Sequence, residues 1–291
     1  MVKQGMTFSR LMMHFVLFGF ALLCIVPMLA VISISFTDNH SLVHDGFRLI
    51  PQQFSLGAYR YALADYEGII RAYWVTIRVT ITGTILALLS TSGIAYAISR
   101  VDFKLRKPLS FYVFFTMLFS GGTIPFYMLI VNYLGLFNNI WALILPGLVG
   151  AWNVLLLRTF FAKIPMEIIE SATIDGANEY TIFFRIVLPL SKPALATIGL
   201  FIMLFFWNDS WFALLFMHDN SRIPIQLVLV RVMAVAHFLT TTNNPLLVGM
   251  RAPTEALRMA LVVLAAGPMM FVFPFFQKYF VKGLTVGAIK G

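Results

Sequence analysis

The chain has 291 residues, of which 60% are hydrophobic and only 11% are charged. A soluble domain is about 45–50% apolar and about 25% charged, so a water-soluble globule is excluded and the chain is expected to dissolve in lipid. The net charge of +9 therefore indicates membrane topology rather than nucleic-acid binding. The single cysteine, Cys24, forms no intrachain disulfide, and five scattered His residues give no recognised metal-ligand spacing.

Six stretches are apolar enough and long enough to cross a bilayer as helices, which takes roughly 20 residues each. They cover about residues 11–36, 72–98, 109–133, 136–157, 195–217 and 257–281. Because backbone groups in lipid must bond within the chain, the sequence predicts an all-α polytopic membrane protein with six transmembrane helices, forming one domain over residues 1–291. In the third stretch, Gly121 and Gly122 precede Pro125 and are expected to break or thin the helix, with a gate as the second interpretation.

The basic residues divide unevenly between the two sets of connections. Thirteen lie on one set: Lys3, Arg10, Arg100, Lys104, Arg106, Lys107, Arg158, Lys163, Arg185, Lys192, Lys278, Lys282 and Lys290. Seven lie on the other set: Arg48, Arg60, Arg71, Arg222, Arg231, Arg251 and Arg258. The richer set has the shorter connections, so the positive-inside rule places it, with both termini, in the cytoplasm.

Residues 163–193 between the fourth and fifth stretches are too long for a simple connection and too polar to cross the bilayer. We predict a helix that starts with Pro165, a turn at Asp175 and Gly176, and a second helix that Asn178 caps and Pro189 ends at Leu188. An apolar stripe on the first helix comprises Ile164, Ile168, Ile169 and Ala172. Such a hairpin either lies in the lipid headgroups or docks a cytoplasmic partner.

The hairpin resembles the EAA signature of ABC importer permeases. Six of the seven usual fixed positions of that signature match, and Ser171 stands where the family usually has Ala. The seven positions are Glu170, Ser171, Ala172, Gly176, Ile186, Leu188 and Pro189. The flanking residues 175–177 and 192–193 and the closing run 277–291 are similar to the carbohydrate branch, in particular to the smaller, six-span permease of maltose-type importers for complex or acidic oligosaccharides such as alginate.

The resemblance implies a subunit of a larger transporter in a bacterial cytoplasmic membrane. In that family a second related permease completes the pathway, two cytoplasmic ATPase subunits sit beneath the EAA segments, and an extracytoplasmic solute-binding protein delivers the sugar. This chain has no G-x-x-x-x-G-K-S/T phosphate loop, so ATP and Mg are expected to bind the partner ATPases. No cofactor and no catalytic residue are expected in this chain. The ATPase-coupling residues implied by the family motif are Glu170, Ser171, Ala172, Asp175, Gly176 and Ala177. Transport would follow from rigid-body rocking of the two permeases.

Two charged residues fall inside predicted spans and are candidates for function. Arg78 is expected roughly 9 Å and Asp209 roughly 12 Å below the outer surface. The two side chains either pair across the bundle or, in the functional interpretation, Arg78 recognises a carboxylated sugar such as a uronate oligomer. An apolar residue is common near this position in the family, so Arg78 is a departure from it.

A second candidate substrate site consists of aromatic and amide residues. Aromatic faces stack on pyranose rings while amides and carboxylates bind hydroxyl groups, although the same residues would also suit an interfacial aromatic belt. The candidate substrate-pathway residues, besides Arg78, are Trp152, Asn153, Trp207, Asn208, Asp209 and Trp211. The outer connections 37–71 and 218–256 are expected to meet the solute-binding protein.

Three other classes of protein compete with the sugar permease. An intramembrane enzyme would need a convergent nucleophile, base or metal set at membrane depth, and the sequence shows none. An ABC permease for an osmolyte or a peptide would share the hairpin but would not need the aromatic and amide residues. A passive channel would conduct without ATPase subunits.

Overall fold

The computed structural model of the protein describes residues 8–241 and 255–288, so Lys3, Arg251 and Lys290 lie outside the described residues. Within them the chain is all-α, as predicted, with one isolated β-bridge between Thr37 and Phe54. The α-helices are α1 Phe8–Ser35, α2 Asn39–Asp45, α3 Gly57–Ala62, α4 Tyr66–Ser99, α5 Arg106–Leu118, α6 Thr123–Met128, α7 Trp141–Ile144, α8 Ala151–Phe161, α9 Met166–Ile174, α10 Glu179–Ile182, α11 Leu188–Leu190, α12 Lys192–Asn208, α13 Trp211–Phe216, α14 Ile225–Thr241 and α15 Glu255–Ala288. Helix α6 continues as a π-helical turn over Leu129–Tyr133, α7 as a 3-10 turn over Leu145–Gly147, and α10 as a π-helical turn over Phe183–Val187.

Three of the predicted spans are continuous helices and the others are broken. Leu11–Ser35, Tyr66–Ser99 and Glu255–Phe276 are each long and apolar enough to cross a bilayer. The bent pairs are Arg106–Leu118 with Thr123–Tyr133 at 113°, Trp141–Gly147 with Ala151–Phe161 at 47°, and Glu179–Leu190 with Lys192–Asn208 at 85°. Six spans result if each bent pair counts as one. The predicted break at Gly121 and Gly122 is confirmed. The bend of the fourth span, which follows Pro146 and Gly147, was not predicted, and the bend of 85° at Ser191 lies in the segment 163–193 rather than inside the predicted fifth stretch.

The described residues form two compact units, one comprising residues up to Tyr66 with Leu229–Gly267, the other Glu67–Val228 with the residues from Pro268 on. In the first unit Ile34, Leu42 and Ala256 form a small apolar cluster. Residues 11–29 of α1 are exposed along their whole length, which suits an apolar helix surrounded by lipid. The prediction of a single permease domain stays a prediction.

The second unit contains the main core, in which α4, α8, α12 and the segment 179–190 pack together. Ile98, Leu157, Val187, Ile198 and Leu227 are among its fully buried side chains. Burial of such a side chain stabilises the fold of a soluble protein by about 1.5–3 kcal/mol, but in a bilayer the gain comes instead from close packing, because lipid is as apolar as leucine.

One apolar helix lies where the sequence predicted only an outer connection. Within residues 218–256, α14 covers Ile225–Thr241, and its first amide is bonded to α4, since Ile225 N–H donates to Thr76 Oγ1 at 2.9 Å. The run of charged and polar residues on either side of this segment concealed it from the hydropathy pattern. Residues 242–254 lie outside the described residues.

Three elements of the second unit meet at the ring of Phe206. This side chain on α12 is 3% exposed, and glycines flank it on both α4 and the 3-10 turn. A Cβ atom added at Gly83 would lie 2.8 Å from the ring, and one added at Gly147 would lie 2.8 Å from it and 2.6 Å from Phe205. The two glycines therefore let the backbones approach the ring more closely than any other residue would allow.

Gly83→Ala is expected to lower the free energy of unfolding by about 1–3 kcal/mol, because the added methyl group meets a ring that has Gly147 behind it. Gly93→Ala on the same helix is the control, since nothing lies within 4 Å of the added atom and the substitution should be neutral or slightly stabilising. Thermal unfolding of the purified variants in detergent measures both effects. Equal unfolding temperatures for the two variants would show that the ring can move aside.

Candidate functional site

The predicted cytoplasmic hairpin forms, and its turn is closed by backbone hydrogen bonds. Helix α9 ends at Ile174, and Gly176 follows with φ +82°, a conformation that only glycine adopts without strain. Gly176 N–H donates to the Thr173 carbonyl at 3.0 Å, and Ala177 N–H donates to the Ala172 carbonyl at 2.9 Å. This pair of bonds is a Schellman motif, which satisfies the last carbonyls of α9 and fixes the direction of the chain that follows.

In the second half of the hairpin one predicted detail is confirmed, one is wrong, and a π-helical turn was not predicted. The Asn178 side chain caps α10 by accepting from Thr181 N–H at 2.8 Å, as predicted. The predicted helix end at Leu188 is wrong, because Leu188 is helical and the helix runs on to Leu190. A π-helical turn over Phe183–Val187 precedes Pro189, and its wider bonding pattern accommodates a residue without an N–H group. Pro165 lies just outside α9, which begins at Met166.

The hairpin has one packed face and one open face. Ile169 and Ile182 are buried in the main core, with Ala172 and Ala177 packed against it; of the predicted stripe, only Ile168 is exposed. The open face is polar near the turn and carries two large apolar side chains. The exposed residues near the turn include Glu170, Ser171, Ile174, Asp175, Gly176 and Tyr180. The structure thus separates the coupling residues of the sequence prediction into an anchored pair of alanines and an exposed tip.

A cluster of polar side chains, named the Glu179 cluster, links this hairpin to the end of α4. Tyr96 Oη donates to Glu179 Oε2 at 2.6 Å, and Arg100 Nη2 donates to Glu179 Oε1 at 3.3 Å. Arg100 also donates two hydrogen bonds to Asp102, from Nε to Oδ1 at 2.9 Å and from Nη2 to Oδ2 at 2.6 Å. These bonds from the guanidinium lower the pKa of the Asp102 carboxyl below its ordinary value, so Asp102 stays ionised at neutral pH.

Sequence reasoning missed the Glu179 cluster. It treated Arg100 only as a topology signal and did not single out Glu179 as a site residue. The two residues are 79 positions apart, and no local pattern relates them. Beside the cluster is a cavity of about 510 Å³, lined among others by Arg100, Met166 and Ile169. The Arg100 Nη1 atom is buried there without a hydrogen-bond partner.

The predicted aromatic and amide residues of the fifth span are divided between the core and the surface. Trp207 is buried, so its ring is closed to a ligand, whereas Trp211 is 54% exposed. Asn208 is exposed and accepts from Gln226 Nε2 at 3.4 Å. Asp209 lies in the break between α12 and α13, where its Oδ1 accepts from Phe212 N–H at 3.2 Å and so supports the start of α13.

Trp211 lies beside the broken third span. A cavity of about 450 Å³ is lined by Ser120, Gly121, Gly122, Thr123, Pro125, Phe126, Leu129 and Trp211. Gly122 has φ +86°, and its N–H donates to Ser120 Oγ at 3.3 Å. Sites formed by an interrupted span and an aromatic ring are where transporters bind substrate. The sequence prediction considered the glycines and Trp211 separately, and the structure brings them together.

The remaining candidates lie apart from one another. Arg78 is exposed on α4, and no ion pair joins it to Asp209 within the described residues, so the structure does not show the first of the two alternatives, pairing across the bundle. Trp152 is 65% exposed on α8, and Asn153 beside it is half-buried. In the part of the chain that the structure describes, no group of three His, Cys, Asp or Glu side chains could hold a metal ion.

Known proteins are similar to this chain in sequence and in fold. The chain is 43% identical over 284 residues to the polygalacturonan/rhamnogalacturonan transport system permease protein YtcP of Bacillus subtilis, covering 98% of each protein. It is 30% identical over 279 residues to the arabinooligosaccharides transport system permease protein AraQ of Halalkalibacterium halodurans, covering 93% of each.

A solved structure and a protein-family profile agree with these relatives. The crystal structure of a bacterial ABC transporter involved in the import of the acidic polysaccharide alginate contains a chain that superposes with a TM-score of 0.79 at 28% identity, over 96% of this chain and 99% of that one. The profile of the family described as binding-protein-dependent transport system inner membrane component matches residues 83–286. With most of its length matched in this way, the chain belongs to the family of inner membrane components of binding-protein-dependent transport systems.

Proposed function

We propose that this chain is the permease subunit of a binding-protein-dependent ABC importer that carries acidic oligosaccharide across the bacterial cytoplasmic membrane. The observation that carries the proposal is the hairpin, whose polar tip at Glu170 and Asp175 is open while its opposite face packs in the core. A surface so exposed and so firmly attached suits a partner that exerts force. The relatives named above, whose names give polygalacturonan/rhamnogalacturonan and arabinooligosaccharides as their solutes, and the alginate importer support the class of solute.

The proposed assembly contains a second related permease, two cytoplasmic ATPase subunits and an extracytoplasmic solute-binding protein. The chain has no phosphate loop, so ATP and Mg would bind the ATPase subunits. Both termini and the hairpin would face the cytoplasm, as the basic residues indicate. The chain itself would act as one permease domain.

Force from the ATPases would pass from the hairpin to the second span. The Schellman turn fixes the tip to α9 and α10, and the Glu179 cluster ties the start of α10 to the end of α4 through Tyr96 and Arg100. Displacing the tip would therefore move α4 along with it. Closure of the ATPase pair would rock the permeases between outward-open and inward-open states.

The charge on Arg78 favours an arrangement in which its face of α4 lines the pathway or contacts the second permease. Its guanidinium is exposed within a span whose window is apolar enough to cross the bilayer. Placing a charged side chain in hydrocarbon costs several kcal/mol, so such residues face a protein neighbour or water. Trp74, which is 57% exposed, lies one turn before Arg78 on the same face. A carboxylated sugar ring would find a cation and an aromatic plane together there.

The cavity beside Trp211 is the second proposed contact with sugar. The Trp211 ring is half-exposed beside the unwound backbone of residues 119–122. The peptide groups of these residues can form hydrogen bonds with sugar hydroxyls. Unwound backbone at membrane depth is tolerated where it lines a cavity. Aromatic stacking and hydroxyl bonding are thus available within one cavity.

Gly176→Pro is expected to abolish coupling, because proline cannot adopt φ +82° and removes the N–H that bonds to Thr173. In membranes containing the full transporter, uptake should be lost and ATP hydrolysis should no longer respond to loaded binding protein, while the chain is still inserted. Gly135→Pro is the control, since Gly135 also has positive φ but lies away from the hairpin. Normal uptake by the Gly176 variant, or an equal loss in both variants, would contradict the assignment.

Arg78→Met is expected to reduce uptake of oligogalacturonide about 10- to 100-fold, as a lost hydrogen bond to a charged group costs about 1.5–3 kcal/mol. Uptake of a neutral arabino-oligosaccharide by the same transporter should be spared. Arg71→Met, which removes an exposed arginine from the same helix, is the control. An equal loss of uptake of acidic and neutral sugars would contradict the proposal that Arg78 binds a carboxylate.

Trp211→Ala is expected to raise the half-saturating sugar concentration about 2- to 10-fold, which corresponds to the loss of one aromatic contact. Initial uptake rates measured against sugar concentration give this value directly. Trp141→Ala removes another exposed tryptophan outside the cavity and should leave it unchanged. Unaltered sugar dependence in the Trp211 variant would place the aromatic ring outside the pathway.

A further inference from the structure

A third cavity, named the basic cavity, opens between the loop after α4 and the ends of α5 and α8. Its volume is about 830 Å³, and its lining residues are Val101, Asp102, Phe103, Lys104, Arg106, Lys107, Ser110 and Arg158. Four of these eight side chains are cations and one is an acid. Cations placed around a concave surface raise its potential and concentrate anions there.

The acid does not neutralise these cations. Both carboxylate oxygens of Asp102 accept from Arg100, at 2.9 and 2.6 Å, and Arg100 is not part of the cavity lining. Among the described residues, neither Lys104 nor Lys107 forms an ion pair with a carboxylate, and the same holds for Arg158. The positive charge of the cavity is therefore uncompensated within this part of the chain.

The cavity also contains an oriented guanidinium and an unused hydroxyl. Arg106 Nε donates to the Ile98 carbonyl at 3.2 Å, which fixes the plane of the guanidinium and leaves its terminal nitrogens for a ligand. Ser110 Oγ, in the same lining, is buried without a hydrogen-bond partner. Guanidinium and ammonium groups together are donors that bind phosphate.

Two exposed aromatic residues follow the cavity-lining Ser110 in the sequence. Along α5, directly after Ser110, the side chains of Phe111 and Tyr112 are 66% and 65% exposed. Exposed aromatic residues next to basic ones are typical of the level at which lipid headgroups meet acyl chains. Basic pockets between spans on the cytoplasmic side are suited to anionic headgroups.

We propose that the basic cavity binds a phosphodiester group, and that the headgroup of an anionic phospholipid is the source its surroundings favour. The inference goes beyond the proposed transport function. It depends on the chain being embedded in a membrane and not on the identity of the transported sugar. A soluble phosphate compound would use the same donors without using the aromatic side chains of α5.

Binding of phosphatidylglycerol that carries a fluorescent acyl chain tests the proposal. The full-length chain is purified in detergent with the subunits that accompany it, and fluorescence anisotropy is followed as the lipid is titrated. Lys104→Gln with Lys107→Gln is expected to weaken binding about 10- to 30-fold, because each cation near an anionic headgroup contributes about tenfold or less. Lys104→Arg with Lys107→Arg keeps the charge and should bind like the wild type.

A matched control and two competitors make the outcomes distinct. Lys163→Gln with Lys192→Gln removes the same charge outside the basic cavity and should leave binding unchanged. Unlabelled phosphatidylglycerol should displace the probe, and phosphatidylcholine should not. Displacement by glycerol 3-phosphate at concentrations as low as those of phosphatidylglycerol would support the phosphate site and identify a soluble source.

Three results would overturn the proposal. They are equal displacement by phosphatidylcholine and phosphatidylglycerol, equal loss of binding in the cavity and control variants, and full binding by the cavity variant. Thermal unfolding of both double variants at Lys104 and Lys107 shows whether each of them is folded. If the glutamine double variant is not folded, the arginine double variant keeps the test decisive.

Discussion

Within a bilayer every peptide group must find its hydrogen-bond partner inside the protein, and this constraint governs the places where the helices of this chain break. At the bend of 47°, Ser90 Oγ on α4 donates to the Leu148 carbonyl at 2.7 Å. At the bend of 85°, the Ser191 amide bonds to carbonyls of the preceding turn. At the bend of 113°, Phe119 N–H donates to the Phe115 carbonyl at 3.1 Å, Gly122 N–H donates to Ser120 Oγ at 3.3 Å, and the Gly122 carbonyl accepts from Phe126 N–H at 3.3 Å. This break also lines the cavity beside Trp211.

The functional surfaces follow from where the chain departs from straight helices. The hairpin tip exists because Gly176 reverses the chain with a closed set of bonds, and the cavity at Trp211 exists because Gly122 does not continue α5. In each case glycine permits a backbone conformation that other residues avoid, and neighbouring side chains then give the opened surface its chemistry. The Glu179 cluster adds a polar connection where a purely apolar contact could slide.

Much of the fold could be predicted because its signals are local. Apolar length predicts the spans, and the turn at Gly176 with its cap at Asn178 follows from residue types a few positions apart. Other features could not be predicted because they depend on distant partners. The bonds of Tyr96 and Arg100 to Glu179 join residues about 80 positions apart, 83 and 79 in the two cases. The two alternatives for Arg78 and Asp209 stayed open for the same reason, since hydropathy gives the depth of a residue but not the side of the helix that faces a neighbour.

The ring of Phe206, held between Gly83 and Gly147, has a mechanical consequence. With glycine backbone on two sides, the ring packs closely against both α4 and the 3-10 turn, and this contact resists sliding of the two elements and α12 past one another. These three elements are suited to move as one block during a transport cycle. Any flexing within this unit then falls to the bends between helices, and the unwound residues between α5 and α6 are suited to serve as its hinge.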